Sequence, residues 1–287
     1  AFCENNSVAI LTTEDNNYPP QLKNIQNPPS VLYVKGTLPD TDKAVGVVGS
    51  RKSTSYGLKV AGTFAQDLAL AGLTIISGGA RGIDTAAHKG ALKANGKTIA
   101  VLGCGIDVIY PYENVDLFKQ ISKIGALITE FPPGAEPLAK NFPARNRIIS
   151  GFSQGILVVE AARKSGAMIT AEFAIDEGRE VYCIPGSIFS PTSVGTHSLI
   201  KQGAKLVQRP EDILEEFHLL LQKQPKEKCD MPDLFSGMSE DCEIVTNKIL
   251  TVLNFNEAKT LEEIVTASAL PLNVISSVLL NLQVNGY

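Results

Sequence analysis

No excess of basic residues marks this chain: 26 Lys and Arg stand against 30 Asp and Glu, a formal net charge of −4. Bulk charge therefore does not advertise a polyanion partner, and any anion site must be a local patch. No apolar run is long enough to span a bilayer, and the opening AFCENNSVAI lacks the charged-then-apolar form of a signal peptide. A cytoplasmic location without membrane contact is expected. The five cysteines (Cys3, Cys104, Cys183, Cys229, Cys242) form no CxxC pair and the three histidines are far apart, so inert thiols fit better than disulfides or zinc, and no metal is expected. No GxxxxGK[ST] and no GxSxG occurs. The turn Gly46-Val47-Val48-Gly49-Ser50-Arg51 does not fit GxGxxG, and Ser77-Gly78-Gly79 stands where a ribose-binding acid would end the second strand, which argues against hydride transfer. Asp84 and His88 are four apart and can touch on one helix, but a helix cap and a helix-face histidine account for them. No catalytic residue and no cofactor is assigned.

What is present centres on Val45–Asp84. Val45–Val48 and Leu73–Ile76 have the length and β-branched content of buried strands. Between them Leu58, Ala61, Ala65 and Leu68 recur at helical spacing. Each strand ends in a small-residue turn, Gly49-Ser50-Arg51 and Ser77-Gly78-Gly79-Ala80-Arg81-Gly82. The result is a βαβ unit with a glycine-rich lip at the carboxyl ends of its strands, where open parallel sheets bind ligands. Glycines let the backbone approach a ligand, free N–H groups at a helix start attract phosphate, and arginine adds a fork of charged donors. Solvated arginines beside merely tight turns are the plainer account of either loop alone; two such loops side by side favour an anion site.

The pattern continues with strands at Thr98–Leu102, Ala126–Thr129, Ile156–Glu160, Glu180–Ile184 and Lys205–Val207. Helices are expected from Asp84 through Leu92, over Val115–Ile124, at Ile148–Phe152 and from Ala167 to about Glu177. Strand alternating with helix implies an α/β fold with a mostly parallel sheet covered on both faces. Ahead of it, residues 1–42 form a proline-rich lead-in, with Val31–Val34 as a short edge strand. Residues 43–209 are the main domain, and residues 210–241 a helix and linker. Residues 242–287 are a small all-α, winged-helix-like C-terminal domain with the wing short or absent. Its third helix carries Asn273, Ser276, Ser277, Asn281 and Gln283 but no Lys or Arg. That favours a protein-interaction module over a DNA reader.

Between these strands, Lys140–Arg147 carries three positive charges, no acid and Phe142, and leads into the apolar helix at Ile148. Lys164 and Ser165-Gly166 follow the strand Ile156–Glu160 at the same sheet edge as Arg51 and Arg81. Basic side chains, backbone N–H groups and an aromatic on one rim suit a single nucleic-acid strand. The plainer alternative packs Phe142 and Pro143 into the loop and pairs the arginines with Glu130, Glu136 or Glu160.

The runs VGSRKSTSYG (Val48–Gly57), SGGARGIDTAAHKGAL (Ser77–Leu92), FPARNRIISG (Phe142–Gly151) and VVEAARKSGAMITAEFA (Val158–Ala174) together resemble the DprA/Smf family of DNA-processing proteins. So do TIAVLGCGIDVIYP (Thr98–Pro111), the stretch Ile184–Val207 and YPPQLKNIQNPPSVLYVKG in the lead-in. The resemblance implies an extended Rossmann-like fold that binds single-stranded DNA without known catalysis, forms a homodimer and loads a RecA-type recombinase on incoming DNA in natural transformation. It places the family's GSR turn on Gly49, Ser50 and Arg51, and its second glycine turn on Gly78, Gly79, Arg81 and Gly82. Its FPxRNR segment falls on Phe142, Arg145, Asn146 and Arg147, and its SG turn on Ser165 and Gly166. Arg51, Arg81, Arg145 and Arg147 are expected to hold phosphates and Phe142 to stack, with Lys140 and Lys164 as further contacts. A rival from another class is a Rossmann-like enzyme cleaving a nucleoside monophosphate; the PGGxGTxxE run expected of it is missing.

Overall fold

A computed structural model describes residues 2–217 and, of the remainder, only residues 263, 264, 270, 274 and 275. The chain divides into two compact units, Ala1–Lys223 and Gln224–Tyr287. The first holds, in order, α1 (Phe2–Asn5), β1 (Val8–Thr12), α2 (Pro20–Lys23), β2 (Val31–Gly36), β3 (Ala44–Val48), α3 (Ser55–Leu70), β4 (Thr74–Ser77), α4 (Ile83–Lys93) and β5 (Thr98–Val101). It continues through α5 (Val115–Ile124), β6 (Ala126–Thr129), α6 (Asn141–Phe152), β7 (Gly155–Val158), α7 (Gly166–Asp176), β8 (Glu180–Cys183), α8 (Val194–Lys201), β9 (Lys205–Leu206) and α9 (Glu211–Leu214). The helix expected beyond Phe217, the linker and the winged-helix-like module lie outside the described residues, apart from the five isolated positions.

The strands form one sheet in the order β1-β2-β6-β5-β4-β3-β7-β8-β9. Every pairing from β6 to β9 is parallel, and β2 joins β6 and β1 antiparallel. Alternation along β3 explains why both faces are covered. Val45 and Val47 pack with Ala61, Phe64 and Leu68 of α3 and with Ile83, Ala87 and Ala91 of α4. Ala44 and Val48 face Ile148, Ile149 and Phe152 of α6 and Ala167 and Ala171 of α7.

Three expectations change. The strand at Val31–Val34 is not an edge: β2 is paired on both sides, and the edge is β1. The lead-in thus supplies two strands to the sheet, and Tyr18, Leu22 and Ile25 pack in the same core cluster as α6. Leu58 is exposed, and the buried face of α3 is built instead from Gly57, Ala61, Phe64, Ala65 and Leu68. The basic stretch Lys140–Arg147 is not a loop ahead of a helix, since α6 starts at Asn141. Pro143 is tolerated there because the first turn of a helix needs no N–H from it.

Helices α3 and α4 approach with glycine at the contact. A Cβ on Gly90 would collide with the carbonyl oxygen of Gly62. Gly90→Ala is therefore expected to force the helices apart and cost about 1–3 kcal/mol. The measurement is the urea midpoint at unchanged m; an unaltered midpoint would refute the close backbone contact.

Candidate functional site

The winding of the sheet reverses at β3, which has β4 on one side and β7 on the other. At such a reversal the loops at the strands' carboxyl ends splay apart and leave a crevice. Here it is an open cleft of about 680 Å³, which shares Arg51, Lys52, Ala80, Tyr110 and Phe142 as lining with a smaller one of about 230 Å³. The turn after β3 forms one wall, the loop after β7 and the start of α7 another, and α6 the third.

The two glycine turns clasp each other. Ile83 N donates to Ser50 O at 3.3 Å, and Gly82 sits at φ +78°, where a Cβ would strike that same carbonyl. Gly82 is the residue before α4, so the N-terminus of α4 is docked on the Ser50 turn. Helix α3 is capped by Thr54, whose hydroxyl accepts from Gly57 N at 3.1 Å. Thr54 N and Oγ1 donate in turn to the buried carboxylate of Glu160, at 3.0 and 2.5 Å. Glu160 follows β7, so one carboxylate joins the α3 cap to the opposite wall.

Helical geometry sorts the FPARNR residues. Phe142, Arg145 and Asn146 stand at i, i+3 and i+4, share a face of α6 and line the cleft. Arg147 lies about 140° further round the helix from Phe142. Its guanidinium grips both Glu130 oxygens at 2.7 and 2.6 Å and donates to Asn27 O and Ala144 O. In this structure Arg147, expected to hold a phosphate, fastens the lead-in and the end of β6 to α6.

Arg145 is likewise engaged within the fold. It is only 3% exposed, and its guanidinium donates to the carbonyls of Gly78 and Val101. It holds the turns after β4 and β5 in place rather than offering a free fork. Arg145 and Asp84 converge on Gly78, where a Cβ would lie 2.6 Å from Arg145 Nη2 and 2.7 Å from Asp84 Oδ2. Phe142 is covered on one face by Arg51, whose guanidinium carbon lies 4.9 Å from the ring centre, with Tyr110 at 5.5 Å beside it. Arg51 thus rests on one face of the ring that is expected to stack on a base.

Gly49, Ser50, Ser165 and Gly166 line the larger cleft, and Gly78 and Arg81 the smaller. Arg81 is paired with Glu113 at 2.6 Å, but both side chains are more than half exposed, so solvent screens the pair and leaves Arg81 available. Gly79, Gly82, Lys140 and Lys164 line neither cleft, although both lysines are exposed. Lys52 and Tyr110 were missed. The signal for Lys52 was its place beside Arg51, and for Tyr110 its position past the end of β5.

Asp84 does not cap α4; Gly82 holds that position, and the Asp84 carboxylate accepts from Ala80 N at 3.3 Å. Nor does it meet His88, whose Nδ1 lies 2.7 Å from Thr98 Oγ1. That hydroxyl donates to Ile75 O, so Nδ1 carries the proton and Nε2 is buried without a partner. Burial pushes the Asp84 carboxyl up to about 6, against the pull of Arg145 and the N–H of Ala80. Burial pushes His88 down to about 3, helped by Arg145.

In searches against known proteins, the profile of the DNA recombination-mediator protein A family matches residues 9–218. Protein Smf of Escherichia coli is 41% identical over 282 residues, 97% of this chain and 74% of that protein. DNA processing protein DprA of Bacillus subtilis is 45% identical over 69% of this chain and 68% of its own length. Among solved structures, DprA of Streptococcus pneumoniae superposes with a TM-score of 0.70 at 45% identity, covering 72% of this chain and 74% of that one. DprA of Helicobacter pylori, whose structure is described for its single-stranded DNA binding mode, superposes at 0.67 with 29% identity, covering 73% and 95%. Fold and cleft define a Rossmann-like protein with a basic, glycine-lined crevice at the switch point of its sheet. The chain belongs to the DNA recombination-mediator protein A family, the DprA/Smf proteins.

The two buried groups make opposite contributions to acid stability. His88 stays neutral in the fold while the unfolded chain takes a proton below about 6.5, so stability falls as pH drops through that range. Asp84 holds its proton in the fold up to about 6 but in the unfolded chain only to about 3.8, so it returns stability over that lower window. Asp84→Asn is expected to steepen the loss of stability between pH 6 and 4, and His88→Asn to reverse its sign, in urea titrations at each pH. Parallel pH profiles for both variants and the parent would show that neither group is buried as described.

Proposed function

We propose that the cleft binds single-stranded DNA by its phosphates and that the protein acts without catalysis. The observation that carries this reading is the Arg51 guanidinium, exposed at the mouth of the cleft, stacked on Phe142 and flanked by the open Ser50 turn. A planar fork held on an aromatic ring meets a phosphate with little loss of side-chain freedom. Lys52, Arg81, Lys140 and Lys164 extend the field along the rim. The backbone N–H groups at the start of α7, behind Ser165 and Gly166, add a second anion point. Arg145, Asn146 and Asp84 shape the floor. A strand rather than a duplex fits a cleft set between loops. The H. pylori relative supports the same ligand.

The wider role follows the family. The protein hands its strand to a RecA-type recombinase, works as a homodimer in the cytoplasm, and serves DNA taken up in natural transformation. Residues 242–287 supply a protein-interaction module.

Arg51→Ala is expected to weaken an oligo(dT) about 10- to 100-fold in fluorescence anisotropy and to flatten the salt dependence by about 0.7 in log K against log [salt]. Arg147→Ala should keep affinity within about twofold while losing about 1–2 kcal/mol of stability, because it strands Glu130. Binding that ignores salt, or that survives Arg51→Ala unchanged, overturns the reading. Release of free base from AMP would favour the nucleotide-cleaving rival.

A further inference from the structure

Strand β8 is followed by a loop that runs along the carboxyl edge of the sheet before α8. At its tip Ile188 is 79% exposed and Phe189 89%, more than any other large apolar residue among those described. A single exposed apolar side chain needs no explanation, but two adjacent ones held at a tip do. The loop is braced. Tyr56, in the first turn of α3 and half exposed, donates its hydroxyl to Pro185 O at 3.0 Å. Ser190 N donates to Ser187 O at 3.0 Å, closing the turn that carries Phe189. Ser190 Oγ lies 2.9 Å from Thr192 Oγ1, and Thr192 Oγ1 donates to Glu160 Oε1 at 3.3 Å. Glu160 also anchors the α3 cap, and Thr192 lines the cleft. The tip is thus tied by hydrogen bonds to the wall that carries Arg51.

Charge names the occupant. Arg51, Lys52 and Lys59 lie in a stretch with no acidic residue before Asp67, and the Glu160 carboxylate near the tip is buried under its hydrogen bonds to Thr54 and Thr192. Exposed apolar rings joined to a cleft that carries exposed Arg51 and Lys52, with the neighbouring carboxylate buried, suit flat bases on a polyanion. We propose that Tyr56 and Phe189 form a second base-stacking station, on which bases of the same strand rest after it leaves the Arg51 cleft. The inference rests on the single-strand reading of that cleft.

The experiment compares oligo(dT) of rising length on the full chain and on Phe189→Ala, Tyr56→Ala and Arg51→Ala. Phe189→Ala should leave the shortest bound oligonucleotide unaffected and weaken the longer ones about tenfold. Its salt slope should stay that of the parent, since a stacked base releases no counterion, whereas Arg51→Ala should lower both affinity and slope at every length. The urea midpoint of Phe189→Ala should be unchanged, because the side chain is out in solvent. A 2-aminopurine placed beyond the cleft-bound nucleotides should be quenched by the parent and not by Phe189→Ala. If Phe189→Ala binds like the parent at every length while Arg51→Ala does not, the station is refuted and the cleft reading stands. If Phe189→Ala changes only the sedimentation behaviour, the tip is a contact between protein chains and the station is again refuted. If the parent binds no single strand, both fall together.

Discussion

The buried guanidinium of Arg145 is the constraint on which the site depends. A charge with almost no exposure must be met by acceptors, and the carbonyls of Gly78 and Val101 meet it. Gly78 directly follows β4 and Val101 ends β5, so one side chain of α6 fixes two turns of the lip. The same contact removes any room for a side chain at Gly78 and places Asp84 where burial raises its affinity for a proton. With α6 held there, Phe142 is delivered to the mouth of the cleft, and Arg51 has a ring to lie on. The arginine that reads in the sequence as a phosphate contact is thus the one that braces the turns around Arg51.

Two carboxylates complete the frame in different ways. Glu160 is buried among hydrogen-bond donors, the cap of α3 and the hydroxyl of Thr192, and so links both walls of the cleft. Glu130 is spent on Arg147 and turns that arginine toward the lead-in. An anion site in a chain of net negative charge is possible because these acids are consumed by the fold, while the arginine and lysine at the lip are left exposed. The field at the cleft is set by this distribution and not by the total.

Much of the architecture was legible because parallel strands buried on both faces leave an unambiguous apolar signature. Val115–Ile124 and Ala126–Thr129 are found at the expected residues, and the other sheet-core strands lie within two residues of expectation. β1 was not read although Val8-Ala9-Ile10-Leu11 is an apolar run: it stands outside the strand–helix alternation, and only its pairing with β2 makes it the edge of the sheet. The start of α6 was missed because a proline and four polar residues precede its apolar turns, and a proline reads as a break unless it is known to sit in a first turn.

By itself the sequence determined the alternation of strand and helix, the two glycine turns with their arginines, and membership of the family, since each is written in contiguous residues. The tertiary structure alone decided which arginine stands exposed at the cleft and which are engaged within the fold. Arg51, Arg145 and Arg147 are the same side chain in the sequence, but one lies on an aromatic ring at a cleft mouth, one is buried against carbonyls, and one is clamped by Glu130. The partners that sort them are 17 to 91 residues away in the chain: Glu130 from Arg147, Gly78 from Arg145, Phe142 from Arg51. Burial and pairing are properties of those long-range contacts, and no local pattern encodes them.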